Sequence, residues 1–346
     1  MNAPSAAFAA VAGMAAKKRG YLTRQKSYHK KAGKTWCVAC DGSRLSIRAL
    51  RLAAALHVEG NDKIKVFTVE TPGNTDADRV IKDAETELLS VCKVNKMSIV
   101  HGQKLQVDGS IADTIRKAAE KEHEAILVMG SAGRGAQDAE GKTSRPKGQA
   151  PMSKMAEACV KECSVPILLV KKAYFTLDND DAMRERAFDT GKQPCRMVCT
   201  VNDPNHGKEG WEAATRIARP GDVVDALHVL DSDKVSRKES LASFGSSAVI
   251  KYFTEEAAKV TDTSHATCSC VSVYKVSSIG ETVLKYSDGE IKEKASEPAD
   301  LIIMNSYELA TSQGKDKDMG SVTLAVAKKT ETNMLICKSF SQMVAA

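Results

Sequence analysis

Strand and helix patterns alternate along this chain, and partway through the alternation begins again. Short apolar runs at 34–40, 64–69, around 97–107, 126–130 and 165–170 are separated by amphipathic stretches after Ser43, at 77–92, at 111–119 and at 152–160. Strands that return to the sheet through a helix run parallel, and a parallel sheet needs cover on both faces. After residues 172–193, poor in apolar side chains and marked by Asn179, Asp180, Asp181 and Gly191, the plan repeats with strands at 195–201, 223–229, 267–276, 300–304 and 333–337. Helical patterns at 211–218, 240–260 and 281–294 lie between them. A repeat of roughly 160 residues means a tandem pair of one domain. The fold class expected is therefore α/β: two tandem open parallel five-stranded sheets flanked by helices, Rossmann-like. The divisions are a basic tail at 1–33, a first domain at 34–171, a linker at 172–193 and a second domain at 194–340.

Two turns shape the first half. Asp41-Gly42-Ser43 ends the first strand, with Ser43 placed to cap the next helix and a lone acid at the strand's carboxyl end. Open parallel sheets bind ligands at that end. Asp108-Gly109-Ser110 repeats the same turn-plus-cap chemistry before the helix at 111–119. The fourth strand, Ile126-Leu-Val-Met-Gly130, runs into Ser131-Ala132-Gly133-Arg134-Gly135. Glycines so close together cost conformational entropy, and suit a loop that offers bare amide N–H groups to an anion such as phosphate. A tight surface turn has the same composition.

Two phosphate motifs fail on spacing. Gly135 and Gly141-Lys142-Thr143 hold five residues between the glycines where a P-loop has four, and no helix pattern follows. Gly130, Gly133 and Gly135 are wrongly spaced for a dinucleotide fingerprint and follow the fourth strand, not the first.

Asp41-Gly42-Ser43, Val69 closing the second strand, Asp108-Gly109 and Val128-Met-Gly-Ser-Ala-Gly-Arg-Gly135 together resemble a universal stress protein domain, in a tandem, two-domain arrangement. The family's ATP-binding members carry Gly-x2-Gly-x9-Gly-Ser/Thr. Gly130 and Gly133 match the first pair. The later Gly-Ser falls on Met152-Ser153, so the serine is present and the glycine is not. The interval is also longer, 18 residues from Gly133 to Met152, and carries Arg134, Lys142, Arg145 and Lys147 beside Asp138 and Glu140. The resemblance implies an ATP site, with or without Mg2+, in which Asp41 and Val69 line the adenine and ribose while Gly130, Gly133, Arg134 and Ser153 hold the phosphates. It also implies that the fifth strands pair, Val165–Val170 beside Leu335–Cys337, as an internal pseudo-dimer. A homo-oligomer or larger assembly is compatible with it. No general base can be nominated, so enzymatic activity is expected to amount to slow ATP hydrolysis at most.

In the second half, Asn202-Asp203 puts an acid near the position of Asp41, and Asn305-Ser306-Tyr307-Glu308 replaces Gly130-Ser-Ala-Gly133. Both glycines are gone and Glu308 would repel a triphosphate. Met319-Gly320-Ser321-Val322 keeps the Gly-Ser that the first half altered. The second domain thus reads as degenerate for ATP, and the alternative for the whole chain is a nucleotide-free scaffold built from decayed domains. An adenylating enzyme of the related superfamily would need a Ser-Gly-Gly loop after the first strand, which Asp41-Gly42-Ser43 is not.

Charge narrows the partners. Residues 1–40 hold eight Lys or Arg and no acid, and the remainder has 42 basic against 44 acidic residues. A folded part so nearly neutral does not suggest a nucleic-acid surface. No run approaches a membrane span. The acid-free start suits a disordered tail of a cytoplasmic protein or, alternatively, a mitochondrial transit peptide. Ten cysteines without disulfide-like spacing suggest reduced thiols. Cys37-x2-Cys40 lies within a strand, where i and i+3 face opposite sides, so it reads as core and not as a redox or metal pair. Cys159 and Cys163 lack partners to complete a metal site, and the histidines show no triad spacing.

Overall fold

The computed structural model describes residues 33–71, 76–132, 152–171, 194–202, 204–230, 241–264, 266–291, 297–307 and 321–339. In the first half, β1 (Thr35–Ala39) lies between β2 (Lys63–Glu70) and β4 (Ala125–Gly130), with β3 (Ile99–Gln106) beyond β2 and β5 (Ile167–Val170) beyond β4. In the second half, β6 (Arg196–Thr200), β7 (Val223–Leu230), β8 (Thr267–Tyr274), β9 (Leu301–Tyr307) and β10 (Asn333–Ser339) repeat that order. The two five-stranded sheets are halves of one ten-stranded sheet, β3-β2-β1-β4-β5-β10-β9-β6-β7-β8. All neighbours run parallel except β5 and β10, which meet antiparallel with Leu169, Leu168 and Ile167 opposite Met334, Leu335 and Ile336. The expected pairing of the fifth strands is present.

Apolar alternation sends the strands' side chains into two cores. On one face, Trp36, Val38, Ile64 and Val66 pack under α1 (Arg44–Leu56) and α2 (Ala77–Thr86), and Met197, Cys199 and Val224 under α5 (Pro204–Ile217) and α6 (Leu241–Ser264). On the other, Cys37, Phe67, Leu127 and Met129 pack under α3 (Ile111–Glu120) and α4 (Lys154–Glu162). There, too, Val198, Leu227 and Ile302 meet α7 (Ile279–Ser287) and α8 (Ser321–Lys329). Each Leu or Ile so buried stabilises the fold by roughly 1.5–3 kcal/mol. Cys37 and Cys40 do face opposite cores, both buried. Ser43 caps α1, its Oγ accepting from Ser46 N–H at 3.2 Å, and Ser110 and Asp113 close a capping box on α3.

Helix ends depart from the sequence pattern in identifiable ways. The stretch 77–92 is an α-helix only to Thr86 and continues as a wider π-type turn over Glu87–Val91. The helix expected at 211–218 starts at Pro204, where a proline's missing N–H costs nothing. That expected at 281–294 stops at Ser287, followed by Gly289 in the left-handed region (φ 75°). Helix α8 had no clear periodic signal.

Polar contacts clasp the junction on both faces of the sheet. Lys171, just past β5, reaches the carbonyl of Ala327 in α8, and Lys338 of β10 donates to Val160 O in α4 at 2.7 Å. These are reciprocal contacts about the β5/β10 pair. On the opposite face Arg216 of α5 pairs with buried Asp62, and Arg219 donates to Ala55 O at the end of α1. Asp62 also accepts from Lys34 N–H, Val58 N–H and Trp36 Nε1 at 2.9, 3.0 and 3.0 Å.

Candidate functional site

The chain leaves β1 toward the first face, through α1, and leaves β4 toward the second, through α4. A crevice opens at the carboxyl ends of neighbouring strands whose connections diverge in this way. Asp41 and Gly130 stand at its two lips. Half-buried Asp41 accepts from Ser43 N–H at 2.9 Å through Oδ1, fixing the turn, and Gly42 between them has φ 75°. Gly130 is glycine because α1 crosses it closely. A Cβ there would lie 2.9 Å from Leu45 Cγ and 3.2 Å from Ala132 O.

Ser131, buried, continues the strand's ladder by donating from its N–H to Val170 O at 2.9 Å. Its own carbonyl accepts from Ser153 N–H at 2.7 Å, which ties the start of α4 to the end of β4. Ser153 is the N-cap of α4, with Oγ accepting from Ala156 N–H at 3.1 Å. Two serine-capped helix starts therefore flank the crevice, where partial positive charge gathers. The first turn of α1 carries no acid and includes exposed Arg44. Met152, which stands where the resembling pattern has glycine, packs its side chain against the apolar cluster under α4.

Val69 lies half-buried near the end of β2 and packs on that second-face cluster. The structure thus brings Asp41, Gly130 and Ser153 to one crevice and sets Val69 one strand further out. Gly133 and Arg134 lie outside the described residues. Sequence reasoning missed Thr68, beside Val69, whose buried Oγ1 has no hydrogen-bond partner. No periodic signal distinguishes an orphaned hydroxyl from an ordinary strand threonine.

The second half shows the same crevice with other side chains. Cys40 N–H donates to Phe67 O and Val201 N–H to Leu227 O, so register equates Asp41 with Asn202 and Thr68 with His228. The acid noted at Asp203 is one residue displaced and outside the described residues. Val38 faces Val128 as Cys199 faces Ile303, which equates Gly130 with Asn305. Asn305 carries a side chain where Gly130 has none: its Oδ1 accepts from Gly210 N–H at 2.9 Å, and a Cβ on Gly210 would lie 2.9 Å from Asn305 Nδ2. The bulky partner sits on the helix in the first half (Leu45) and on the strand in the second (Asn305). His228 Nδ1–H donates to Val201 O at 2.9 Å, where the Thr68 hydroxyl has no partner.

Burial pushes the thiols upward, Cys92, Cys159 and Cys337 to about 12 and Cys163 to about 11, which keeps them protonated and unreactive at neutral pH. Among the described residues no group of three His, Cys, Asp or Glu side chains could hold a metal ion, and no helix is long and apolar enough to cross a membrane.

Comparison with known proteins agrees with this architecture. No curated protein matches the chain. A functionally unknown protein from Pseudomonas aeruginosa PAO1 has a similar structure at 11% identity, with 91% of this chain and 94% of that one covered and a TM-score of 0.55. A putative universal stress protein from Pseudomonas aeruginosa UCBPP-PA14 matches at 11% identity over 91% of this chain and 95% of that one, with a TM-score of 0.54. Residues 34–171 match the model of the universal stress protein family. That match lies in the first half of the chain, over β1 to β5.

Proposed function

We propose that the crevice between β1 and β4 binds an adenine nucleotide, ATP with or without Mg2+, and that the chain is a regulatory binding module of the stress response. The observation that carries this reading is the strand end at Gly130, which bears no side chain, flanked by two serine-capped helix starts with Asp41 at the end of the neighbouring strand. Amide N–H groups and helix dipoles recognise phosphate without a catalytic group. In this reading Asp41 and Val69 line the adenine and ribose, and Gly130, Gly133, Arg134 and Ser153 meet the phosphates. With no base assigned to activate water among the described residues, hydrolysis in this reading is slow. The second domain, residues 194–340, is structural in this reading, because Asn305 stands there in place of the glycine.

Titration calorimetry of the full chain with ATP and Mg2+ tests this. One nucleotide per chain is expected, with the heat lost in Gly133→Asp and unchanged in a second-half control, Asn202→Ala. Absence of heat at high micromolar protein would overturn the reading in favour of a nucleotide-free scaffold.

A further inference from the structure

The two edges of the sheet differ in how they meet solvent. β3 is guarded: Lys104 Nζ lies 3.0 Å from Asp78 Oδ2, Gly102 N–H is taken by Glu85 Oε1 at 2.8 Å, and the register with β2 shifts between Lys65 and Phe67. Charge and an irregular ladder are devices that keep an edge from pairing. β8, Thr-Cys-Ser-Cys-Val-Ser-Val-Tyr, has no charged residue and no proline, and its register with β7 is unbroken from Val223/Thr267 to Leu230/Tyr274.

The outward groups of β8 follow from its ladder. Thr267 N–H donates to Asp222 O and Lys275 N–H to Leu230 O, both at 2.8 Å. With an unbroken register, the odd-numbered residues between them face β7, and Cys268, Cys270, Ser272 and Tyr274 turn their backbone groups away from the sheet. Thr261 Oγ1 accepts from Cys268 N–H at 3.1 Å, and no strand pairs beyond β8 among the described residues. Tyr274, 68% exposed, and Val276, 54% exposed, lie at the strand's far end.

We propose that β8 is a self-association edge, on which a second copy of this chain pairs antiparallel about a two-fold axis at Ser272, continuing one sheet into the next. In that register Ser272 faces its own copy and Cys270 faces Tyr274, so the outward donors of these three residues meet outward acceptors, while Cys268 N–H keeps its bond to Thr261. The occupant is a second copy because an uncharged strand meets itself without the like-charge opposition that disfavours self-pairing. A charged peptide would find no counter-charge on the strand. The molecule also already joins sheet edges in this manner, uncharged β5 lying antiparallel against β10. The inference is independent of the nucleotide reading.

Sedimentation of the full chain from low to high micromolar tests it, with three variants. Ser272→Pro removes an outward N–H and spares the ladder to β7, and Ser272→Lys sets like charges face to face. The wild type is expected to dimerise, and both variants to dimerise at least about tenfold more weakly with unchanged circular dichroism. Should Ser272→Pro fail to fold, Ser272→Lys carries the same comparison. Ser272→Cys is expected to form a disulfide-linked dimer under mild oxidation in greater yield than wild type, because facing Cα atoms at about 5.5 Å suit a disulfide. A wild-type chain that stays monomeric, a dimer unmoved by Ser272→Lys, or no gain in linked dimer with Ser272→Cys would each overturn the proposal.

Discussion

Single residues set how closely helix and strand approach at each crevice. Gly130 yields to Leu45 in the first half, and Gly210 yields to Asn305 in the second. Adding a methyl at Gly130 must therefore displace Leu45, and Gly130→Ala is expected to destabilise by about 1–3 kcal/mol in urea unfolding. Leu45→Ala in the same chain should cost less than the sum of the two single changes, because the methyl then has room. Asp62 is the other demanding residue. Asp62→Ala leaves the Arg216 guanidinium buried without its carboxylate, and a loss of about 3–5 kcal/mol is expected from the same measurement. Trp36→Phe removes only one of the hydrogen bonds to Asp62, so a loss nearer 1 kcal/mol should follow. The sequence exposed Gly130 because a glycine ending an apolar run is conspicuous. It could not expose Asp62 or Thr68, whose significance lies in partners distant along the chain or in the lack of one.

At the level of elements, capping was legible and helix length was not. Ser43 and Ser110 cap as their local sequences suggest, since a cap bond spans only three residues, and Ser153, which the pattern at 152–160 places within the helix, is its cap. Helices α5 and α7 begin or end away from the apolar pattern, because Pro204 and Gly289 act on backbone geometry and not on amphipathicity. Ser153→Ala should lower stability by about 1 kcal/mol through the lost cap. Ser153→Asp separates the two duties of this residue. It keeps a cap acceptor, so the thermal midpoint should hold, while a carboxylate at the proposed phosphate position should weaken the ATP heat. The strand cysteines follow the same logic of burial. Only Cys268 and Cys270, on the edge strand, are partly exposed, and a small disulfide reagent should label at most these two thiols in the native chain and all ten after unfolding.

The whole molecule is held at its centre by contacts that no local pattern announces. Lys171 is buried at the junction, and burial pushes its ammonium from 10.5 down to about 8. The unfolded chain then binds the extra proton between those values, so this residue's contribution raises stability as pH climbs from about 8 toward 10.5 and withdraws it as pH falls through 8. Comparing wild type with Lys171→Met in urea at pH 7 and 9.5, the difference between the two proteins should change by about 2 kcal/mol, with wild type gaining at the higher pH. An equal difference at both pH values would show that Lys171 is not held charged against burial.

What the sequence by itself determined is the order of strands and helices, their duplication, and the turn chemistry at Asp41, Ser43, Ser110 and Gly130. These rest on hydrophobic period and on bonds between near neighbours, both of which are local. Only the tertiary structure decided the antiparallel register in which β5 and β10 join the two sheets, that Asn305 packs against Gly210, and that, among the described residues, β8 ends the sheet with neither the charges nor the broken ladder of β3. Each of these depends on register between segments far apart in the chain. A shift of one residue there exchanges core for surface and glycine for side chain.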